Sequence, residues 1–361
     1  MRLEKALDRK FLGYRSIMGW SHWLSVEKEI FLKRKVLPLK DRFWCLRHGF
    51  RPSDMNVYGR EELRAHYKDY LSARDYYRLH PINGEYSFWI DDKLTMKYVF
   101  SRYDDYLPAY YYQLEKNRLM RLTNCPEAYG ESIDGILGLL REKKILAAKR
   151  LWGSCGQGFY RLEYKDGEYL VTGKPVSEQE LRQLLGSLYS YLILEYVVNH
   201  HVLREIWPDA TNTLRVILAN CDGQLVVMRS FIRFGNAKSN GVDNALAGGI
   251  ESVIDEDTGK LLFTQSQDVY GTPTKITHHP DSGAPFEIQI PRWEEILIKL
   301  KEICMNYPQL RYWGFDVAVT EDSFKILEIN SLSGLMAAQC KEPLLKDPKT
   351  RAVYDYFKST K

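Results

Sequence analysis

Residues 314–330 read Gly314-Phe315-Asp316-Val317-Ala318-Val319-Thr320-Glu321-Asp322-Ser323-Phe324-Lys325-Ile326-Leu327-Glu328-Ile329-Asn330. Two apolar runs flank the polar quartet 320–323, a pattern that predicts a β-hairpin turning there. Alternate residues of a strand share a face, so Glu328 and Asn330 point the same way, and the turn brings Asp316 back beside them. Hard oxygen donors of this kind suit Mg²⁺, which works with substrate phosphates rather than in a closed protein cage. The hairpin alone is equally compatible with acids that are merely solvated, and the rest of the chain decides between the two.

Upstream, residues 145–160 carry an apolar run ending in Lys149, then a glycine-rich loop, then a second strand pattern. The loop residues Gly153, Ser154, Gly156, Gln157 and Gly158 offer backbone N–H groups that can approach an anion closely, and Lys149 adds a point charge for the same anion. No Gly-Lys-Ser/Thr follows, so this is not a Walker A loop; an ordinary hairpin turn is the plain alternative. The stretch Tyr191-Leu192-Ile193-Leu194-Glu195-Tyr196-Val197-Val198 is an apolar strand ending in an acid. Glu195, Tyr196, Val197 and Val198 could read a base edge or a ribose, or form a core strand with one solvated carboxylate.

The composition, 45% hydrophobic and 27% charged over 361 residues, is that of a globular protein with room for two or three cores. No run of about 18 apolar residues predicts a membrane span, and no secretory signal pattern opens the chain. Six scattered cysteines without a C-x-x-C pair predict a reducing compartment and no zinc knuckle. Residues 1–60 hold 14 Lys/Arg against 6 Asp/Glu, whereas the whole chain is only +4. This basic stretch could meet a membrane face, a glycosyltransferase or an acidic substrate, or be a solvated helical surface. No motif accompanies it that would predict nucleic-acid binding.

Helical spacing dominates residues 1–82. Residues 83–198 hold the mixed segment, the glycine loop and the strand ending in Glu195, and residues 199–361 hold further strands and the 314–330 hairpin. Strand patterns at 144–149, 158–164, 168–172, 191–197, 213–220, 224–234, 248–254 and 260–266 alternate with helix patterns at 132–143, 177–187, 200–206 and 293–305. With Asp-Gly and Thr-Gly turns between them, they predict an α+β fold built largely of antiparallel sheets.

The order of the parts is Asp92-Lys93, Lys149 with its loop, the strand ending in Glu195, Arg215, and then Asp316, Glu328 and Asn330. In this order the chain resembles the ATP-grasp superfamily over roughly residues 85–335. The segments Asn212-Thr213-Leu214-Arg215-Val216, Val242-Asp243-Asn244-Ala245-Leu246-Ala247-Gly248-Gly249-Ile250, His279-Pro280-Asp281, Ile290-Pro291-Arg292-Trp293 and Gly314–Val319 are similar to the sugar-transfer-associated ATP-grasp family. The resemblance implies two α+β subdomains gripping ATP. Lys149 and Lys93, with Lys97 as a competitor one helical turn on, would hold phosphates. Arg215 would neutralise the transferring phosphoryl group. Asn244, in an Asn-x-x-x-Gly-Gly segment, would stand near the reacting carboxylate. Arg233 would meet the substrate anion or a structural partner. Asp316, Glu328 and Asn330 would hold one or two Mg²⁺ ions, for which Mn²⁺ can substitute. His201, after the hinge, would touch ribose or phosphate. Adjacent histidines on a helix diverge by about 100°, so His200 and His201 predict no zinc site.

The implied activity is an ATP- and Mg²⁺-dependent, ADP-forming ligase that joins a small-molecule carboxylate to an amine through an acyl-phosphate. The implied setting is cytoplasmic, on or off a membrane, in cell-surface polysaccharide or related biosynthesis. Two other readings fit the same parts: an ATP-grasp-type small-molecule or sugar kinase, and a non-catalytic nucleotide-binding accessory protein.

Overall fold

The computed structural model describes residues 37–116, 118–151, 158–239, 241–243, 249–267 and 272–360. Two seven-stranded antiparallel sheets organise them. The first contains β1 (Tyr110–Glu115), β2 (Arg118–Arg121), β3 (Ile145–Arg150), β4 (Tyr160–Lys165), β5 (Glu168–Val171), β6 (Lys174–Val176) and β7 (Tyr191–Glu195), in the order β2-β1-β7-β3-β4-β5-β6. The second contains β8 (Thr213–Cys221), β9 (Gln224–Phe234), β10 (Ile250–Ile254), β11 (Leu261–Gln267), β12 (Pro273–Lys275), β13 (Tyr312–Val319) and β14 (Phe324–Asn330), in the order β12-β11-β10-β9-β8-β13-β14. The expected α+β class with antiparallel sheets is what the chain adopts.

Helices cover the sheets because their apolar stripes must be buried. Helix Ile133–Lys143 starts at Ser132, whose Oγ accepts the Gly135 N–H at 3.1 Å. It lays Ile136, Leu137 and Leu140 on the first sheet beside Leu181 and Leu185 of helix Glu178–Ser187. Helix Trp293–Asn306 buries Trp293, Ile296, Leu300 and Ile303 against Trp313, Phe315 and Val317. The opposite face of the second sheet meets Val353, Tyr354 and Phe357 of helix Pro348–Ser359 around Tyr312 and Ile217. Strand β13 is therefore buried along its whole length, which explains why its residues are apolar on both faces apart from Asp316.

The 314–330 hairpin forms as expected, with Thr320 N–H donating to Ser323 O at 2.9 Å. Asp316 pairs with Glu328 and Gly314 with Asn330, and a bulge next to Asp316 skips Leu327. Gly314 has no room for a side chain, since a Cβ there would collide with Ser333 Oγ.

The described part of the N-terminal region, 37–82, is helical: Leu39–His48, Pro52–Tyr58, Arg60–His66 and Ala73–Leu79. Most of the basic stretch lies outside the described residues. Among the described helices none is long and apolar enough to cross a membrane. Cys45, Cys125, Cys221, Cys304 and Cys340 are free thiols.

Candidate active site

Between the two sheets lies a cavity of about 620 Å³. Its floor on the second sheet follows from strand register. Arg215 on β8 and Glu328 on β14 are both cross-strand partners of Asp316 on β13, so their side chains stand side by side. Arg215 donates from Nε and Nη2 to the two Asp316 oxygens at 2.5 and 2.8 Å. Arg233 on β9 adds Nη2 at 3.2 Å from Asp316 Oδ2. Burial alone pushes the Asp316 carboxyl up, but the two guanidinium groups outweigh it and hold the carboxyl at about 2.

Arg233 also donates to Thr213 Oγ1 at 2.6 Å, and Asp243 accepts the Thr213 N–H at 2.8 Å as well as its hydroxyl. Burial raises the Asp243 carboxyl, and Arg233 opposes that shift. Asp243 thus ties the start of its loop to the arginine pair.

Two lysines face this floor. Helix Lys93–Val99 begins at its cap Asp92, whose Oδ1 accepts the Thr95 N–H at 2.7 Å. That start places Lys93 in the first turn, with Nζ 3.5 Å from Glu328 Oε1. Lys97, one turn on, pairs with Asp104, donates to Pro108 O at 3.1 Å, and is not among the lining residues. Lys149 reaches in from β3, where burial pulls its ammonium down and Glu328 partly restores it.

The other wall carries the end of β7. Glu195 Oε2 accepts the Ala109 N–H at 2.9 Å, and Val197 O accepts the Thr211 hydroxyl at 2.9 Å. Phe159, Leu194, Leu327 and Met96 also line the cavity and give it apolar surface, which suits a planar base.

Lys93, Lys149, Glu195, Tyr196, Val197, Arg215, Arg233, Asp316, Glu328 and Asn330 all line this one cavity. Val198, His201 and Gly158 do not. Val198 is 47% exposed. Gly158 adopts φ +71° at the entry to β4, where Arg150 and Tyr191 crowd it. His201 instead faces Glu321: its Nδ1 lies 2.9 Å from Glu321 Oε2, and Arg204 Nη2 lies 3.1 Å from Oε1 of the same carboxylate. Nor do the two histidines diverge. His200 precedes the helix with ψ 143°, so the ring centroids lie 4.3 Å apart. His200, His201 and Glu321 are close enough to share a metal ion, although Arg204 already supplies a cation there. Gly153, Ser154, Gly156, Gln157 and Asn244 lie outside the described residues.

The sequence reading missed several lining residues. Asp91 accepts the Ser331 N–H at 2.8 Å and its hydroxyl at 2.6 Å, which fixes the chain just after Asn330. Arg51 and Tyr77 come from the N-terminal helices, and Glu251 from β10. Asp91 had a faint signal in its neighbourhood to Lys93; the other three had none.

Asp316, Glu328 and Asn330 make an all-oxygen donor set. Asn330 Nδ2 donates to Gly314 O at 3.3 Å, which leaves its carbonyl oxygen for a ligand. Asp316 Oδ1 keeps a lone pair beyond its single contact with Arg215 Nε, whereas both guanidinium groups reach Oδ2. The residues present therefore fit a hard cation such as Mg²⁺.

A family model described as sugar-transfer associated ATP-grasp matches residues 72–350. No curated protein matches the chain. Among solved structures, D-alanyl-alanine synthetase A of Vibrio cholerae is 12% identical with a TM-score of 0.43, covering 77% of this chain and 66% of that one. A Chryseobacterium gregarium RiPP-associated ATP-grasp ligase is 13% identical with a TM-score of 0.40, covering 76% and 61%. D-alanine–D-alanine ligase of Bacillus anthracis is 13% identical with a TM-score of 0.38, covering 75% and 67%. The chain thus spans about two thirds of the length of these structures.

Proposed function

The chain belongs to the sugar-transfer associated ATP-grasp family, and from that premise we propose that it is an ADP-forming ligase that joins a carboxylate to an amine through an acyl-phosphate. The observation that carries this reading is the convergence of Lys93, Lys149, Arg215, Arg233, Asp316, Glu328 and Asn330 on one cavity. Phosphoryl transfer is catalysed mainly by positioning and charge neutralisation, and this cavity gathers both signs of charge within one floor.

In this mechanism the apolar surface takes the adenine and the wall at 195–197 reads its edge. Lys93 and Lys149 meet the phosphates. Asp316, Glu328 and Asn330 would hold one or two Mg²⁺ ions, which supply neutralisation of the β- and γ-phosphate oxygens when bound. A donor carboxylate oxygen attacks the γ-phosphorus, and the bond to ADP breaks. Arg215 neutralises charge on the phosphoryl group in flight. The amine, in its uncharged form, then attacks the acyl carbon, phosphate leaves with the proton that the nitrogen gives up, and an amide forms.

The arginine–aspartate cluster gives this sequence a charge exchange. Arg215 and Arg233 both contact Asp316 before nucleotide arrives. Incoming phosphate competes for the guanidinium groups, and Asp316, freed from them, would help hold the cation with Glu328 and Asn330, so the cluster's charges stay paired. The donor and acceptor would be small molecules of cell-surface polysaccharide or related biosynthesis, in keeping with the family's description.

The test is a screen of carboxylate and amine pairs for ADP release, with the product read by mass spectrometry. A condensed product from the wild type that disappears in Glu328→Gln supports the reading. A phosphorylated alcohol in place of an amide, or full turnover by Glu328→Gln, refutes it.

A further inference from the structure

The polar row on the second sheet does not stop at the arginines. In register it runs Thr213 on β8, Arg233 on β9, Glu251 on β10 and Gln265 on β11. Glu251 lines the cavity and is 4% exposed. Among the described residues, the other acids of this floor each have a cationic partner: Asp316 has Arg215 and Arg233, Asp243 has Arg233, and Glu328 has Lys93. Glu251 has none within ion-pair distance, and its Oε2 has no hydrogen-bond partner. Gln265 is 1% exposed and close enough to favour the charged form of Glu251. Yet neither of its amide atoms closes a hydrogen bond of ordinary geometry with a described residue. Buried polar groups are normally satisfied, so the unpartnered Glu251 Oε2 in the cavity wall, with Gln265 behind it, points to a ligand.

We propose that Glu251, backed by Gln265, is the recognition site for the ammonium group of the amine acceptor. This deepens the ligase reading and rests on it. A primary ammonium would give Glu251 the hydrogen-bonded cation it lacks, with Gln265 backing the carboxylate from behind. Burial pushes the Glu251 carboxyl up, and an ammonium returns it to its charged form. The location suits the nucleophile. Glu251 is the cross-strand partner of Arg233, which contacts Asp316, so an amine held there lies one strand away from the phosphoryl-transfer floor. The two Arg side chains attract the anionic donor, and the carboxylate beyond them attracts the cationic acceptor. The opposed signs would prevent the two substrates from exchanging places.

The experiment compares full-length wild type with Glu251→Gln, and Gln265→Leu as a second variant. Each is supplied with Mg·ATP and a panel of amino and uronic acids. One arm uses hydroxylamine as nucleophile. It is uncharged at neutral pH, reports acyl-phosphate formation as a hydroxamate, and shows that each variant is folded. The other arm uses glycine, alanine and glucosamine, with amide read by mass spectrometry over a range of amine concentrations. The expected result is hydroxamate within about threefold of wild type, with the amine KM raised at least roughly thirtyfold in Glu251→Gln and less in Gln265→Leu. Equal hydroxamate and equal amine KM in all three proteins overturns the Glu251 assignment and leaves the ligase reading standing. Loss of both products in both variants overturns the assignment by showing a structural role. Absence of hydroxamate from the wild type with every acid overturns the ligase reading and this inference with it.

Discussion

Replacing Asp316 with asparagine should unfold the protein more readily than any other single neutralisation in the cavity, before nucleotide is considered at all. The carboxyl is held near 2 rather than at its ordinary 3.8, against burial that acts the other way. A depression of that size is worth roughly 2 kcal/mol of pairing at neutral pH. Removing the charge also leaves Arg215 and Arg233 buried without their carboxylate, and breaking a buried ion cluster in this way costs about 3–5 kcal/mol. The expected loss is therefore between about 2 and 5 kcal/mol, read as a lower urea midpoint by tryptophan fluorescence without nucleotide. The sign with pH follows. A depressed carboxyl contributes stability that is complete above about pH 4 and is lost as pH falls towards 2. Wild type should lose this increment on acidification and Asp316→Asn should not. Replacing the whole cluster with apolar residues (Asp316→Leu, Arg215→Met and Arg233→Met together) should recover much of the loss. An Asp316→Asn midpoint within about 0.5 kcal/mol of wild type, or an unchanged acid limb, would refute the account of the cluster.

Glu328→Gln should leave stability within about 1 kcal/mol, because its partner Lys93 is 3.5 Å away and Glu328 is half-buried, yet should lower substrate-dependent ADP release by about 10²-fold or more; a stable, fully active variant would exclude Glu328 from the metal set. Lys93→Met should weaken ATP binding at little cost in stability, whereas Lys97→Met should lower the thermal midpoint with less effect on affinity, since Lys97 is buried on Asp104; calorimetry on both separates the two lysines. Burial lowers the Lys149 ammonium, so triphosphate binding should draw protons in, and ATP affinity should fall as pH rises through the lowered value; Lys149→Met should flatten that slope in isothermal titration. His201→Ala should leave the ATP Kd within about twofold, because His201 is spent on Glu321 outside the cavity; a loss of tenfold or more would return His201 to the nucleotide site.

What was legible in the sequence was whatever is fixed by local pattern. The 314–330 hairpin carries its own turn and its own alternation, so Asp316, Glu328 and Asn330 could be placed on one face without knowing anything else. Strand 224–234 is Gln224–Phe234 in the fold because turn residues bound it and apolar residues fill it. Strand β1 was missed for the opposite reason. Tyr110, Tyr111 and Tyr112 are all buried, so the strand shows no alternation, and an aromatic run among tyrosines read as mixed structure. The site divides along the same line. Residues on strands that carry an obvious chemistry, Lys149, Arg215 and Glu328, could be named from order alone. Partnerships could not, because they are decided by register between segments a hundred residues apart. Nothing in Asn212–Val216 says that Arg215 is spent on Asp316 before any phosphate arrives, and nothing in Ile250–Ile254 says that its acid is buried rather than solvated. In a sequence, an acid between apolar neighbours reads as the wet face of an edge strand. Glu251 breaks that reading because β10 lies inside the sheet between β9 and β11, and the cavity, not bulk water, covers its polar face. The residues that local pattern describes worst are thus those whose charge the tertiary fold leaves unbalanced, and an unbalanced charge in a cavity wall is where a substrate's own charge is needed.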